Sequence, residues 1–364
     1  MKALLLGDVS PTSENKMLFA SGDIQTLFTD TLCLFEGNDI NLVNMECALT
    51  NTETAITKIG PAITAPTNTA NVMAAIGVNY CNLSNNHFFD HGIAGAESGL
   101  KALADAGITT TGFGQNYEDS RKNLVIEKGG EKIVIIAVCE HEYTYALDDR
   151  MGSRPFCPFD TLADIRNAKK DADRVIVLYH GGKEMCRYPS PRLLKACRAM
   201  IDAGADVVLG QHSHCISCYE PYNGGHILYG QGNFHFVLNT KNPANQEIWD
   251  TSLAVHYDTV TNKIDFTPIT RAGQGITLAK GAEKQRVLDA FAERNKALQD
   301  GTWYKGWQAF CESNRESYTK AITNACTAES TERQNQVFAH YLDCEAHTDV
   351  WRELFKTYNH TNEK

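Results

Sequence analysis

Polar groups suited to metal and phosphate chemistry stand at the ends of short apolar runs throughout the first two thirds of this chain. Asp8 closes LLLGD, Asn44 and Glu46 close NLVNME, and Asn85, Asn86 and His87 close CNLSNNH. Further on, His180 follows VIVLY, His212 and His214 follow VVLGQ, and Asn233 follows LYGQG. Carboxylates, imidazoles and an amide together make the mixed oxygen and nitrogen shell that Mn²⁺, Fe or Zn²⁺ accepts. The set is large enough for two divalent metal ions sharing one carboxylate, a pair that can activate water and clamp a phosphoryl group. A histidine left outside that shell could protonate a leaving group. Singly each group is weak: Asp8 could cap a turn, and Asn85-Asn86 could serve a left-handed one. Their joint position at strand ends is the signal.

That signal depends on the elements that carry the groups. Strands are expected at Ala3–Gly7, Ile40–Asn44, Tyr80–Leu83, Lys132–Val138, Arg174–Tyr179, Asp206–Leu209 and Ile227–Tyr229. Amphipathic helices are expected at Ala94–Ala106, Thr161–Lys169 and Pro191–Ala203, with Gly107 and Gly204 as caps. The alternation predicts an α/β fold with helices on both faces of a sheet. In such sheets the carboxyl ends of the strands gather in one crevice, so residues far apart in sequence converge there. Leu253–Tyr257 and Lys263–Pro268 read as a hairpin that could continue a second sheet. The chain divides into a domain over 1–275 and a helical C-terminal extension over 276–364, to which we assign a stabilising role.

Composition bounds the possibilities. The net charge of -10 argues against a role as a nucleic-acid scaffold, while leaving phosphorylated substrates open. No apolar run is long enough for a membrane helix, and the apolar start is too short for a signal peptide. The twelve cysteines then read as reduced thiols of a cytoplasmic protein. Cys33, Cys81, Cys139 and Cys197, within apolar runs, read as small hydrophobes. Oligomeric state is left open.

The motifs NNH-x-x-D-x-G at Asn85–Gly92, H-x-G-x-E at His180–Glu184, IDAGADVVLGQHSH and the GNF at Gly232–Phe234 resemble the CapA-like family of bacterial capsule and poly-γ-glutamate synthesis. The resemblance spans about residues 3–270 and is similar to the calcineurin-type metallophosphoesterases. It implies a layered α/β/β/α sandwich. Carried over by position, it places Asp8 and His214 on one metal, Glu46 as the bridge, and Asn86, His180 and His212 on the other. His87 falls at the general acid, with Asp90 orienting it. Asn44, Lys58, Asn85, Glu184 and Asn233 are then read as substrate contacts. Ser10 stands where the superfamily has the histidine of D-x-H, which removes a strong ligand. Glu46 replaces an aspartate, and Gln211 departs from the usual glycine and histidine pattern. The implied activity is metal-dependent hydrolysis, with a small-molecule or glycan phosphoester as substrate and Mn²⁺ as the favoured ion. A non-catalytic role in capsule synthesis and a binding module with decayed catalysis are the alternatives.

Other candidates carry less. Cys215 and Cys218 form a C-x-x-C in what reads as a strand, which would point the thiols apart. Lys183 and Arg187 could meet an anionic substrate, and Glu140-His141-Glu142 could line the same crevice. His226, His256, His340, His347 and His360 have no supporting pattern and read as structural or exposed.

Overall fold

The computed structural model describes residues 1–241 and 243–356. The first apolar run forms the strand Lys2–Val9, two residues longer at its end than expected, so Asp8 lies within it. Alternation sorts its side chains: Leu4 and Leu6 enter one core, Ala3 and Leu5 another. Ile40–Met45, Tyr80–Asn82 and Thr109–Thr111 follow beside it in parallel. Asn233–His235 pairs in parallel with its end.

The hairpin does form, from Thr251–Asp258 and Lys263–Ala272. It does not continue a second sheet. Thr251–Asp258 pairs antiparallel with Lys2–Val9, and Gly275–Leu278 extends the same sheet. The reason is burial: Leu253, Val255 and Tyr257 enter the core that takes Ala3 and Leu5.

The second sheet holds Glu131–Cys139, Arg174–Gly181, Val207–His212 and Gly225–Leu228 in parallel, flanked by antiparallel Leu124–Lys128 and Tyr219–Tyr222. The two sheets face each other across Leu5, Leu42, Ile135, Ile176, Leu178 and Leu209. Helix Gly92–Asp105 covers the outer face of the first sheet through Ala96 and Leu103. Pro158–Lys169 and Pro191–Asp202 cover the second through Ile165, Leu193, Cys197 and Met200. The layers run helix, sheet, sheet, helix.

Register brings the site together. Asp8 lies opposite both Asn44 and Asn233, and Gly181 lies opposite His212. The His212 amide donates to Asp8 Oδ2 at 3.1 Å, tying the carboxyl ends of the two sheets to each other. Gly7 permits the approach of the loop before Asn233, because a Cβ there would lie 2.1 Å from the Gly232 carbonyl oxygen.

After Gly275–Leu278 the chain is helical. Gly281–Gln299 places Val287 and Phe291 on the core between the sheets. Trp303–Ser313, Arg315–Thr323 and Glu345–Leu354 meet around Trp307, Tyr318 and Val350, with Glu332–Asp343 between the last two. Buried Glu140 anchors this layer: it accepts from the Tyr179 hydroxyl, from Arg192 and from the Ala346 amide. Arg192 also donates to Asp349 Oδ2 at 2.8 Å. His141 takes up Glu345, and Arg333 donates to the Lys58 carbonyl. The helices are therefore seated on the loops at the strand ends.

Removing one partner from a buried charge cluster strands the others in low dielectric. Arg192→Ala is expected to cost about 3–5 kcal/mol, read as a lower urea midpoint. An unchanged midpoint would contradict the anchoring role.

Candidate metal centre

Two groups of possible metal ligands form at the strand ends, and they share a residue. One ligand atom each of Asp8, Glu46 and His214 lie within 4.8 Å of one another, as do those of Glu46, His180 and His212. All five side chains are buried. Burial pushes the Glu46 carboxyl well up, and neighbouring Asp8 adds to it, because two carboxylates there repel. Burial, together with His212 and His214, holds the His180 imidazole well down and so neutral, the form that ligates. Glu46 Oε2 and His212 Nδ1 are buried without a hydrogen-bond partner. Orphaned ligand atoms beside paired carboxylates fit a divalent cation.

Asn86 belongs to the same place. Its Oδ1 lies 3.0 Å from His180 Nε2, close to the roughly 3 Å separating two donors that meet one cation at right angles. Its amide nitrogen donates to Glu142, which fixes which end faces His180. Backbone strain also collects here: His212 and His214 have φ of 79° and 57°. Left-handed conformations in non-glycine residues persist where surrounding structure enforces them, often at functional sites.

The asparagines form a second ring. Asn44 donates to Asp8 Oδ1 at 2.7 Å and lies 3.1 Å from His180 Nδ1. Asn85 donates to Asn44 Oδ1 and to the Met45 carbonyl, and its Oδ1 accepts the His87 and Phe88 amides. Asn233 Oδ1 lies 2.8 Å from His214 Nδ1, and Trp249 stacks on the His214 ring at 4.3 Å. Such contacts orient ligand imidazoles. Ser10 is fully buried, its hydroxyl without a partner.

His87 stands beside this cluster, 8% exposed. Its Nδ1 meets Asp90 Oδ2 at 2.6 Å, which leaves Nε2 as the ring's free nitrogen. Lys58 closes the dyad from behind, donating to Asp90 Oδ1 at 2.5 Å and to the Asn86 carbonyl. Burial and then Lys58 lower the basicity of His87, while Asp90 opposes them. Burial raises the Asp90 carboxyl, but His87 and Lys58 outweigh it and hold it low. The ammonium of Lys58 is almost wholly enclosed, so its contacts brace the dyad.

Glu184 is about half exposed, and Lys183 at 3.6 Å holds its carboxyl well below the usual carboxylate range. Arg187 pairs with Glu247. Of the Glu140–Glu142 stretch, only Glu142 reaches the centre, with Oε1 4.0 Å from His212 Nε2.

Several expectations are corrected. Residues 213–218 form a loop with an isolated bridge at Ile216, and not a strand. Cys215 and Cys218 are nonetheless free and buried, their thiols pushed up to about 12 by burial. Cys33 is exposed, although Cys81, Cys139 and Cys197 are buried. His226 and His256 are structural, bonded to Asn262 and Thr267. His360 lies outside the described residues. His340 and His347 are neither exposed nor isolated: one ligand atom of each lies within 4.8 Å of one on Glu142. They and Trp249 were missed because their local sequence carries no pattern; only tertiary packing brings them in.

If the centre takes a cation, folding and metal are linked. Mn²⁺ at a hundred times its dissociation constant is expected to stabilise the chain by about 2.7 kcal/mol. Thermal unfolding with Mn²⁺ and with a chelator measures this; coincident curves would contradict it.

"Capsule biosynthesis protein CapA" of Bacillus anthracis is 33% identical over 181 residues, covering 48% of this chain and 44% of that protein. "PGA biosynthesis protein CapA" of Bacillus subtilis is 33% identical over 168 residues, covering 45% and 44%. The chain thus spans less than half the length of these two relatives. "Probable polyglutamine synthesis accessory protein Rv0574c" of Mycobacterium tuberculosis is 29% identical over 238 residues, covering 62% of each chain. A solved hypothetical protein of Thermus thermophilus is 15% identical with a TM-score of 0.42, covering 76% of this chain and 96% of its own. Residues 2–237 match the family described as "Bacterial capsule synthesis protein PGA_cap". The match takes in the strand-end residues described above, and the chain belongs to that family.

Proposed function

We propose that this chain is a metal-dependent hydrolase that cleaves a phosphoester of a glycan, nucleotide or similar metabolite. The observation that carries the reading is the pair of ligand groups sharing Glu46, with the His87–Asp90 dyad beside them. In it, Asp8 and His214 would hold one cation and Asn86, His180 and His212 the other, with Glu46 common to the two ligand groups. Two divalent cations there, Mn²⁺ most readily, with Fe or Zn²⁺ as alternatives, would supply Lewis-acid activation of the phosphoryl group and of water.

The chain's own residues do the rest. Asn44 and Asn233 hold Asp8 and His214 in place, so the site needs little rearrangement on binding. Asn85 fixes the turn that carries His87 by accepting two of its amides. Asp90 accepts from Nδ1–H of His87, so Nε2 is the nitrogen that would take up a second proton, as imidazolium, and deliver it to the leaving oxygen. Burial and then Lys58 disfavour that proton, and the charge of a bound phosphate would offset them. Glu184, at the open margin, is the residue placed to sort substrates by charge.

The relatives' names support a second reading, in which this chain is a non-catalytic component of capsule or poly-γ-glutamate synthesis. Hydrolysis of bis(p-nitrophenyl) phosphate with Mn²⁺ separates the two. His87→Asn is expected to keep its metal and lose about 10²–10⁴-fold in kcat. Activity that survives that substitution, or survives exhaustive chelation, would contradict the hydrolase.

A further inference from the structure

A second cluster of ligand groups adjoins the centre, built by the C-terminal helices. One donor atom each of Glu142, His340 and His347 lie within 4.8 Å of one another. Glu142 comes from the loop after Glu131–Cys139, His340 from the helix Glu332–Asp343 and His347 from Glu345–Leu354. A loop after the second sheet's first parallel strand and two successive C-terminal helices thus converge on one point.

The distances do not describe a hydrogen-bonded network. His340 Nε2 lies 3.8 Å from Glu142 Oε1, beyond hydrogen-bond range. Two donors that each approach a cation at about 2.1 Å sit roughly 3–4 Å apart, and 3.8 Å falls within that spacing. The rings are also held in position. Tyr318 meets His347 Nδ1 at 2.7 Å, leaving Nε2 as that ring's other donor. Tyr341 stacks on His347 at 4.1 Å and Tyr143 on His340 at 5.0 Å. Aromatic walls and a tyrosine on the far nitrogen are what fixes a ligating imidazole. The Glu142 carboxylate accepts from the Asn86 amide on Oε2 and from the Cys344 thiol at 3.5 Å on Oε1, while the nearby cation Lys183 faces Glu184. Burial favours both rings in the neutral, ligating form.

We propose that Glu142, His340 and His347 form a third cation site, taking a Zn²⁺-class ion. Two imidazoles and one carboxylate are a common open zinc donor set, with at least one position left for water or a ligand oxygen. Glu142 Oε1 is 4.0 Å from His212 Nε2, so the same carboxylate joins this site to the centre formed by the sheets. The C-terminal helices then contribute ligands and not packing alone.

The site is read from metal position and content, so it stands or falls separately from hydrolysis. Crystals of the full chain soaked in Zn²⁺ should show an anomalous peak at the zinc edge between Glu142, His340 and His347, whatever occupies Asp8 and Glu46. In solution, chelator-stripped protein reloaded with Zn²⁺ should hold about one ion more per chain than the double variant His340→Gln/His347→Gln. No peak at saturating Zn²⁺ would overturn the proposal, as would equal metal content in two folded proteins. Should the variant fail to fold, the anomalous map decides alone.

Discussion

Two carboxylates, Asp8 and Glu46, are buried side by side where the carboxyl ends of two sheets meet, and the rest of the molecule is arranged around that repulsion. Left alone, one of them must hold a proton or meet a positive charge, because like charges in low dielectric cannot both ionise freely. Their neighbours include asparagine amides and the His180 and His214 imidazoles, whose burial disfavours a positive charge, and these can share a cation with them. The same strands that create the problem also hold its partners in register, through Asp8 opposite Asn44 and Asn233. The His212 amide on Asp8 makes the junction between the sheets part of the site.

Much of this was legible in the sequence because parallel strands obey a strong rule. An apolar run that ends in Asp, His or Asn puts that residue at the crevice, whatever the neighbouring strand is. Asp8, Glu46, Asn86, His180, His212 and His214 could be picked out that way, and the structure brings them together. The layers were also readable, since Leu4 and Leu5 must face opposite ways. The hairpin was misplaced because a strand pattern states which face is apolar and not which neighbour it pairs with. Only the shared core with Ala3 and Leu5 decides that.

The C-terminal helices were the least legible part. Helical periodicity identifies a buried stripe, but His340 and His347 owe their position to docking geometry: Glu140, Arg192 and Asp349 seat the last helix on the loops. The asparagines were found as strand-end residues, while their contacts came only from structure. Asn44, Asn85 and Asn233 spend their hydrogen bonds on Asp8, the His87 turn and His214. Lys58 likewise turned out to face the dyad, with Asp90 and the Asn86 carbonyl as its partners.

Glu46 is common to both proposed cation positions, so its loss should empty both together. Isothermal titration of Mn²⁺ into chelator-stripped wild type and Glu46→Gln tests this directly. Two ions are expected to bind the wild type and neither the variant, with both proteins folded. Two ions retained at unchanged affinity in Glu46→Gln would contradict it.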